Sequence, residues 1–455
     1  MDFTPLFQPS TMAVVGVSTS FDNHPANVIF NKNHLRYPIK TYAVNPRGGT
    51  FQRKPLYKTV EEIPGNVDLA VVAARAEFVP GVIEQCIKKG IGGAVIISGG
   101  FSETGNRTAQ DRLAAMAKQA DFPVIGPNCL GIYAPGAVDT FFLPGERIVR
   151  PGSGNVGFVS QSGGVLVDQM VKFAGQGIGV SKGISIGNKA VVREIELLKW
   201  LENDPATGVI AFYVEGFDRG EGREFVKQVE KCRKPVVVMK AGKSSRGIAA
   251  VSSHTASLAG DYRVFSRVLK QHGVVEAASE FELTSFCEAL SCYSEPTGKR
   301  VGIVSVSGGH GVVAADVCSA HDLAVPELLP EKSEPLRKKL SSGIAGIASL
   351  NNPIDLTGSA VDSDFIAAVE AFSRNETIDV VLILLLPYSP GISADIGARL
   401  SNVFQREGKP MVAYVPREEK YKMIIEGFEL NRVPVSTSVE GAVLMAKALG
   451  RCLPC

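Results

Sequence analysis

The segment from Ala241 to Gly260 combines a histidine with a run of very small side chains. Most of its residues are Gly, Ala, Ser or Thr, and His254 lies near its far end, between Ser253 and Thr255. Because such a segment has too little apolar surface for a core of its own, it is predicted to be a long functional loop. A neutral imidazole is a nucleophile near neutral pH, so the loop is predicted to carry His254 between two sites.

A nucleophilic histidine needs a partner that fixes its tautomer and steadies its charge. Glu215 follows the apolar run Ala211 to Val214 and precedes Gly216, a position that suits a carboxylate at the end of a buried strand. A solvated loop carboxylate is an equally good interpretation of Glu215. His310 is a weaker rival for the nucleophile because it follows a glycine-rich turn. The other histidines are interpreted as structural or merely exposed: His24, His34, His272 and His321.

The sequence Ser160-Gln161-Ser162-Gly163-Gly164 directly follows an apolar run. A serine N-cap followed by glycines lets a phosphoryl group approach the backbone at the start of a helix, although a simple N-cap is the alternative. The same Ser-x-Ser-Gly-Gly pattern recurs from Ser305 to Gly309. This repeat predicts two copies of one flavodoxin-like domain, of which at most one need be catalytic.

The turn from Ala13 to Ser20 also follows a predicted strand. It lacks the second and third glycines of the dinucleotide fingerprint, and the next strand ends at Asn45-Pro46 without an acidic residue. Both features argue against NAD and leave another adenine nucleotide, such as CoA, open, although residues 13–20 taken alone favour an ordinary βα turn. Glycine-containing turns at Ile97–Phe101 and Gly126–Gly131 follow later strands, so these turns are predicted to line one ligand crevice.

Short Val- and Ile-rich runs alternate with helical patterns along the chain, which predicts an α/β architecture with mainly parallel sheets. Gly- and Pro-rich stretches at 143–155 and 294–299 are predicted linkers. They divide the chain into domains at 1–145, 150–293 and 299–455. Examples of the predicted strands are Met12–Val17, Leu69–Ala74, Gly93–Ile97, Asn155–Val159, Gly208–Val214, Pro235–Met239, Val301–Val306, Val380–Leu386 and Met411–Val415.

The composition is that of an ordinary globular protein, with 45% hydrophobic and 21% charged residues and a net charge of +2. Because the charges are not clustered, neither nucleic acid nor an anionic membrane is an expected partner. The longest apolar run, Val380–Leu386, is too short to cross a bilayer, and the N-terminus does not resemble a targeting peptide. The scattered cysteines predict no metal site, and a reduced, cytoplasmic protein is expected.

Four motifs together resemble a known family. GPNCLGI, VGFVSQSGG, GISIGNKA and above all SSHTASLAG are similar to the α subunit of ADP-forming acetyl-CoA synthetase, in the superfamily of NDP-forming acyl-CoA synthetases that includes succinyl-CoA synthetase. The resemblance covers essentially the whole chain. It implies a Rossmann-like CoA-binding domain at 1–145, a ligase domain at 150–293 and a second ligase-like flavodoxin-type domain at 299–455. The implied reaction runs through an acyl phosphate and a phosphohistidine to ATP.

The resemblance also implies roles for individual residues. His254 would be the phosphohistidine, Glu215 would orient its ring, and the loop Gly187-Asn188-Lys189 would close the acyl pocket. The phosphoryl group would lie at Ser160, Gln161, Ser162, Gly163 and Gly164. Arg47 would pair with a phosphate of CoA. The residues implied to hold CoA are Gly16, Ser18, Thr19, Ser20, Phe21, Asn45, Pro46, Arg47, Ala73, Ala74, Arg75, Ser98, Gly99 and Asn128.

The family needs an ATP-grasp module, and no part of this sequence resembles one. ADP or ATP and Mg²⁺ are therefore expected mainly on a separate ATP-grasp β subunit, in an α2β2 or larger assembly. The intact His254, Glu215 and Ser-x-Ser-Gly-Gly set favours an enzyme over a non-catalytic subunit that binds CoA or acyl-CoA in a regulatory role. A partnership with an acetyltransferase is the least favoured interpretation.

Overall fold

The computed structural model describes residues 1–254 and 261–451, apart from the side chains of residues 252–254. It divides the chain into two compact units, Met1–Ala278 with two seven-stranded sheets and Ser279–Cys455 with one five-stranded sheet. The strands of the first unit are β1 (Thr11–Val15), β2 (Lys40–Val44), β3 (Gly49–Phe51), β4 (Lys54–Tyr57), β5 (Leu69–Val72), β6 (Gly93–Ile96), β7 (Val124–Ile125), β8 (Ile132–Ala134), β9 (Val138–Asp139), β10 (Ser153–Ser160), β11 (Val180–Ser185), β12 (Val209–Val214), β13 (Val236–Lys240) and β14 (Val275–Ala277). Those of the second unit are β15 (Val301–Ser305), β16 (Ile354–Asp355), β17 (Val380–Leu384), β18 (Met411–Tyr414) and β19 (Val435–Ser436).

Helices connect most consecutive strands, as the α/β prediction requires. Those of the first unit are α1 (Thr4–Phe7), α2 (Pro25–Arg36), α3 (Val79–Lys89), α4 (Arg107–Gln119), α5 (Gly163–Gly175), α6 (Glu194–Asn203), α7 (Glu221–Val229), α8 (Ser245–His254) and α9 (Tyr262–Gln271). Those of the second unit are α10 (Glu280–Cys292), α11 (Gly308–Ala320), α12 (Pro330–Arg337), α13 (Asp362–Ser373), α14 (Ile396–Glu407), α15 (Lys422–Glu429) and α16 (Val439–Leu449).

The first sheet has the strand order of a Rossmann fold. Its order is β3-β4-β2-β1-β5-β6-β7, and only the pair β3–β4 is antiparallel. Counted without the edge strand β3, the order is 3-2-1-4-5-6. The order reverses between β1 and β5, which is where such a sheet leaves a crevice at the carboxyl ends of its strands.

The second and third sheets repeat one pattern. The second runs β14-β13-β12-β10-β11-β8-β9, with β8 and β9 joined antiparallel at the edge, and the third runs β16-β15-β17-β18-β19 with every pair parallel. Both contain the flavodoxin order 2-1-3-4-5. The predicted fold, one Rossmann-like sheet and two flavodoxin-like sheets, is confirmed. In the second sheet the order reverses between β10 and β12.

Every apolar run predicted to be a strand is one, and β11 is among the strands that were not predicted. Its sequence, Val-Ser-Lys-Gly-Ile-Ser, has too many polar residues for a buried strand, yet all six residues are buried. Lys182 forms an ion pair with Asp204 at 3.0 Å, and the hydroxyl groups of Ser181 and Thr207 lie 2.7 Å apart. A buried polar group is tolerated when its partner is supplied by tertiary structure, which periodicity does not reveal.

The prediction of one long loop from Ala241 to Gly260 is wrong for its first part, because α8 occupies residues 245–254. The Ser244 hydroxyl accepts a hydrogen bond from the Gly247 N–H at 3.1 Å and satisfies a donor at the start of this helix. The alanines are strong helix formers, and Val251 is buried against Gly242. Residues 255–260 lie outside the described part of the chain.

The three predicted domain boundaries stay a prediction, and one helix bears on them. The compact units divide at Ala278, so α10, which was expected in the second domain, belongs to the unit that follows. Within that unit the Glu288 side chain of α10 accepts a hydrogen bond from the Val435 N–H, and the Tyr293 hydroxyl donates to the Met411 carbonyl. These contacts explain why α10 packs with the third sheet.

A buried cluster of charges fixes the end of β9 against α2. Asp139 is fully buried and lies 2.8 Å from the Lys32 amine and 2.5 Å from the Arg150 guanidinium. Burial lowers the pKa of Lys32 to about 8, and the nearby Asp139 carboxylate opposes this shift. Since one carboxylate neutralises two largely buried cations, the cluster depends on Asp139.

We expect Asp139→Asn to lower the free energy of unfolding by about 3–5 kcal/mol, because it leaves two buried cations without a counter-charge. Urea denaturation of the purified chain measures this loss. Asp168→Asn is the matched control, since the Asp168–Lys172 ion pair is exposed and worth less than about 1 kcal/mol. Equal losses in the two variants would show that the buried cluster does not stabilise the fold.

Burial also shifts the pKa of Glu288. It raises the pKa of this carboxyl from 4.5 to about 8. The folded state therefore keeps a proton between these two pH values that the unfolded chain releases, so its stability falls as the pH rises through that window.

We expect Glu288→Gln, which keeps an acceptor for the Val435 N–H, to stabilise the protein by on the order of 3 kcal/mol above pH 8 and hardly at all near pH 4.5. Denaturation midpoints at pH 5 and pH 8.5 measure the difference, with Glu331→Gln at an exposed position as control. A gain that does not grow with pH would contradict this account of Glu288.

Candidate functional site

A cavity of about 840 Å³ lies in the first unit, beside the reversal point between β10 and β12. Turns from the first sheet, the carboxyl ends of β10 and β12 and the start of α8 all contribute to it. Its lining residues are Ile97, Glu103, Asn128, Cys129, Leu130, Phe142, Gln161, Ser162, Gly163, Gly164, Tyr213, Glu215, Ala241, Gly242, Gly247, Ala250 and Val251. The structure thus brings together the predicted phosphate turn, Glu215 and the helix that ends at His254.

The two serines of the Ser-x-Ser-Gly-Gly turn build the turn itself. The Ser160 hydroxyl donates to the Ser162 carbonyl at 2.6 Å and accepts from the Ser162 N–H at 3.1 Å, and the Ser162 hydroxyl caps α5 through the Val165 N–H. The same pair of bonds joins Ser305 to Ser307, and Ser436 to Ser438. Ser-x-Ser is therefore a structural device that the fold uses more than once.

The glycines are the part of this turn that is open to a ligand. Gly163 and Gly164 form the first turn of α5, whose N–H groups have no acceptor inside the helix and attract anions. A Cβ on Gly163 would lie 3.0 Å from Leu130, whereas a Cβ on Gly164 would meet only the Ser162 hydroxyl, at 3.9 Å. Gly164 thus leaves free space where a phosphoryl group would approach the backbone.

Gln161 and Glu215 lie next to each other at the ends of β10 and β12. The Gln161 side chain accepts from the N–H of Glu215 at 2.6 Å and of Gly216 at 3.1 Å. Glu215 is one of the residues that line the cavity. The backbone of His254 ends α8, and its side chain is outside the described part, so the pairing of Glu215 with His254 stays a prediction.

Most of the predicted CoA residues follow β1, β2 and β5, around the reversal point of the first sheet, whereas Ser98 and Gly99 follow β6 and Asn128 lines the cavity described above. Gly16 has a φ of 100°, and a Cβ there would lie 2.3 Å from the Ala73 carbonyl oxygen, so only glycine permits this approach of the β1 and β5 ends. The Ser18 hydroxyl accepts from the Phe21 N–H at 3.0 Å, and Asn45 donates to the Val17 carbonyl at 2.8 Å. These bonds fix the shape of the turn after β1.

Asn27 is a contributor that the sequence analysis missed. It is fully buried in α2, accepts from the Ser18 N–H at 2.7 Å and donates to the Ser18 carbonyl at 2.8 Å. Nothing in a single asparagine at a helical position signals such a role. Several predicted residues are exposed around this turn and available to a ligand: Thr19, Ser20, Phe21, Pro46, Arg47 and Arg75; Ala73, Ala74 and Ser98 are half-buried.

The loop Gly187-Asn188-Lys189 packs on the turn of Asn128. Gly187 has a φ of 52°, and a Cβ there would lie 2.3 Å from the Asn128 carbonyl oxygen. Asn188 accepts from the Asn128 amide at 3.3 Å and donates to Glu103 at 2.5 Å. The loop therefore connects the two sheets of the first unit at the cavity through these contacts.

Glu103 was not predicted as a site residue. Burial opposes its ionisation, but hydrogen bonds from Asn188 and from the Gly100 and Phe101 N–H groups prevail and lower its pKa. A carboxylate so held also lies 3.1 Å from a Cβ built on Gly99. Glu103 thus fixes the glycine turn after β6.

Lys189 is held in a buried ionic network instead of facing the cavity as a free cation. Its amine lies 3.2 Å from both Glu194 and Glu221 and donates to the Gly216 carbonyl at 3.1 Å. Glu194 is 1% exposed, and burial raises its pKa, although Lys189 opposes the shift. Arg193 adds a second cation beside Glu221 at 2.9 Å.

Among the described side chains, those of residues 1–251 and 261–451, no group of three or more His, Cys, Asp or Glu is placed to hold a metal ion. The six described cysteines are free thiols, and Cys452 and Cys455 lie outside the described residues. None of the helices in the described part is long and apolar enough to cross a membrane.

Two family models match the chain. The model of a CoA binding domain matches residues 10–135, and that of a succinyl-CoA ligase like flavodoxin domain matches residues 153–290. The first contains the crevice between β1 and β5, and the second contains the turn after β10 and the end of β12. The class that fold and site define is therefore a CoA-binding domain joined to a ligase domain of the succinyl-CoA ligase type.

Comparison with individual relatives identifies a narrower family within this class. ADP-forming acetate–CoA ligase I of Archaeoglobus fulgidus is 38% identical over 387 residues, which are 84% of this chain and 54% of that protein. The α subunit of ADP-forming acetate–CoA ligase I of Pyrococcus furiosus is 34% identical over 99% of this chain and 97% of its own length. The apo structure of dinucleotide forming acetyl-coenzyme A synthetase 1 of Ca. Korarchaeum cryptofilum matches 98% of this chain and 96% of its own, with a TM-score of 0.87 at 29% identity.

The chain belongs to the family of ADP-forming acetate–CoA ligases, which confirms the resemblance drawn from its motifs. It spans about half of the Archaeoglobus relative and nearly the full length of the Pyrococcus α subunit.

The two Ser-x-Ser-Gly-Gly turns allow a paired test of the anion site. We expect Gly164→Ala to leave the thermal midpoint nearly unchanged, because space is free there, and to weaken phosphate binding about tenfold by blocking the backbone N–H groups. Isothermal titration calorimetry with inorganic phosphate measures the affinity. Gly309→Ala is the matched control, since a Cβ there also meets only a serine hydroxyl at 3.9 Å. If the affinity of Gly164→Ala for phosphate were unchanged, phosphate would not bind at this turn.

Proposed function

We propose that this chain is the CoA-binding, phosphohistidine-bearing α subunit of an ADP-forming acyl-CoA ligase. The reaction is acyl-CoA + ADP + phosphate ⇌ acid + ATP + CoA, with acetate as the default acid. The observation that carries the proposal is the cavity in which the N-terminus of α5, Glu215 and the helix ending at His254 meet. An anion site, a carboxylate and a histidine are what transfer of a phosphoryl group through imidazole requires.

The chemistry proceeds in three reversible steps. A phosphate oxygen attacks the thioester carbonyl, the C–S bond breaks, and CoA leaves as the thiolate, which takes up a proton. An imidazole nitrogen of His254 then attacks phosphorus in the acyl phosphate, the P–O bond to the acyl group breaks, and the acid leaves as its carboxylate. Finally a terminal oxygen of ADP attacks the phosphohistidine, and cleavage of the N–P bond gives ATP and free His254.

The described residues have distinct parts in this scheme. The N–H groups of Gly163 and Gly164 bind the phosphoryl oxygens as charge shifts among them. Glu215 accepts a hydrogen bond from the ring N–H of His254, which leaves the other ring nitrogen free to attack. The acyl group lies toward the loop at Asn188, where the two sheets of the first unit meet.

CoA suits the crevice between β1 and β5. The turn after β1 offers small exposed side chains at Thr19 and Ser20, and the Arg47 guanidinium is exposed beside it. This combination lets a phosphate-rich adenine nucleotide approach the backbone while a cation pairs with a phosphate. The match of residues 10–135 to a CoA binding domain supports the same location.

ADP or ATP and Mg²⁺ bind mainly to a second chain, an ATP-grasp β subunit, in an α2β2 or larger cytoplasmic assembly. Support comes from the relatives named as α subunits and from the Korarchaeum protein, which has been solved in complex with phosphate and ADP. His254 therefore serves two sites, the cavity of this chain and the nucleotide site of its partner.

The decisive experiment looks for phosphohistidine. We expect the purified chain to gain an acid-labile phosphate on His254, detected by mass spectrometry, when it is incubated with acetyl-CoA and phosphate or with the β subunit, ATP and Mg²⁺. His254→Ala should abolish the signal, because the variant lacks the ring nitrogen that the proposed phosphohistidine requires. His310→Ala should retain it, since His310 lies on the second copy of the turn.

Phosphate on wild type and on His310→Ala, but not on His254→Ala, supports the relay. Its absence under both conditions while CoA still binds would overturn the catalytic proposal and leave a CoA-binding regulatory subunit. Label on His310 instead would move the relay to the third sheet.

A further inference from the structure

We infer that Gln161 is a positioning residue, which fixes the Glu215 carboxylate through the backbone of Glu215 and Gly216 and does not act by contacting the phosphoryl group. This inference rests on the proposed phosphohistidine relay, in which Glu215 orients His254. It gives a function to the one residue of the Ser-x-Ser-Gly-Gly turn that neither builds the turn nor opens it to an anion.

Glu215 lies just beyond the end of β12, where the hydrogen bonds between strands end. The last ladder contacts beside it are the Gln161 N–H to the Tyr213 carbonyl and the Ala241 N–H to the Val214 carbonyl. Beyond them, the N–H and C=O groups of the next two residues need other partners, because buried backbone groups are costly to leave unpaired. The placement of the Glu215 side chain depends on what supplies those partners.

Three side chains supply all of them. Gln161 accepts from the N–H groups of Glu215 and Gly216 and donates to the Gly216 carbonyl at 2.8 Å. Lys240 donates to the Glu215 carbonyl at 2.6 Å, and Lys189 donates to the Gly216 carbonyl at 3.1 Å. Each of the four backbone polar groups of the dipeptide is therefore hydrogen-bonded to a side chain.

The side-chain amide of Gln161 has no unused hydrogen-bond donor or acceptor. Its oxygen accepts from two backbone donors, and its nitrogen donates to the Gly216 carbonyl and to the buried carboxylate of Glu194. With two acceptor sites and two donors all used, the amide is held in one orientation. Such a saturated group positions its neighbours and has no donor left for a phosphoryl oxygen.

The second copy of the turn shows that folding does not require glutamine here. Val306 occupies the corresponding position, yet Ser305 and Ser307 form the same bonds as Ser160 and Ser162, at 2.9 and 3.0 Å. The turn and the helix that follows it thus form with an apolar residue between the serines. Gln161 is needed for its contacts with the end of β12.

We therefore expect Gln161→Val, which copies the second turn, to slow phosphorylation of His254 by acetyl-CoA and phosphate about 10- to 100-fold at saturating phosphate. The apparent KM for phosphate and the Kd for CoA should stay within about twofold, because neither ligand loses a contact. Glu215→Gln should slow the reaction similarly, and the double variant should be no more than about twofold slower than Glu215→Gln alone, since Gln161 acts through Glu215.

Other results would overturn the inference. A wild-type rate in Gln161→Val, additive losses in the double variant or a large rise in the KM for phosphate would each do so, the last pointing to a direct phosphate contact. Gln161→Met, which fills more of the volume, decides the matter if Gln161→Val does not fold. Failure of the proposed function looks different, because wild type itself would then remain unphosphorylated.

Discussion

The reversal of strand order in a parallel sheet is the constraint on which this molecule depends. Strands on the two sides of the reversal are followed by helices on opposite faces, so the carboxyl edge between them stays open to a ligand. The first unit has two such points, between β1 and β5 and between β10 and β12. The first gathers Gly16, Ala73 and the turn at Ser18, and the second gathers Gly164 and Glu215. Both sites follow from topology before any side chain is considered.

The open edge of a sheet also leaves backbone carbonyl groups without a partner, because beyond the strand ends they no longer pair with a neighbouring strand. Buried or half-buried lysines bind such carbonyls at the end of β12 and also where other helices and strands end. Lys32 donates to Phe141, Lys240 to Glu215 and Ala241, Lys234 to Leu201 and Asp204, and Lys409 to Asn375 and Ile378. An ammonium group has three donors and no acceptor, so one lysine satisfies several carbonyls at once. The cost is desolvation, which lowers the pKa of Lys240 to about 8, while the Glu215 carboxylate opposes the shift.

The sequence predicted what depends on local chemistry. Apolar runs such as Val380–Leu386 and the serine and glycine pattern at 160–164 specify strands, caps and turns without reference to distant residues, and both predictions agree with the structure. The missed features depend on contacts between distant segments. β11 is polar by composition and is buried only because Asp204 and Thr207 supply partners. Asn27, Glu103 and Glu194 have no local signal, and the helix at 245–254 needed the packing of Val251 to become visible.

The repeated turn separates the residues that build it from the residue that determines what it acts on. The hydroxyl groups of Ser160 and Ser305 bond to Ser162 and Ser307 in the same way, whereas the residue between the serines, Gln161 or Val306, differs without loss of the turn. In evolutionary terms, a duplicated turn of this kind can diverge at the residue between its serines while its shape is preserved. One copy can then keep the ancestral function while the other copy acquires a different one.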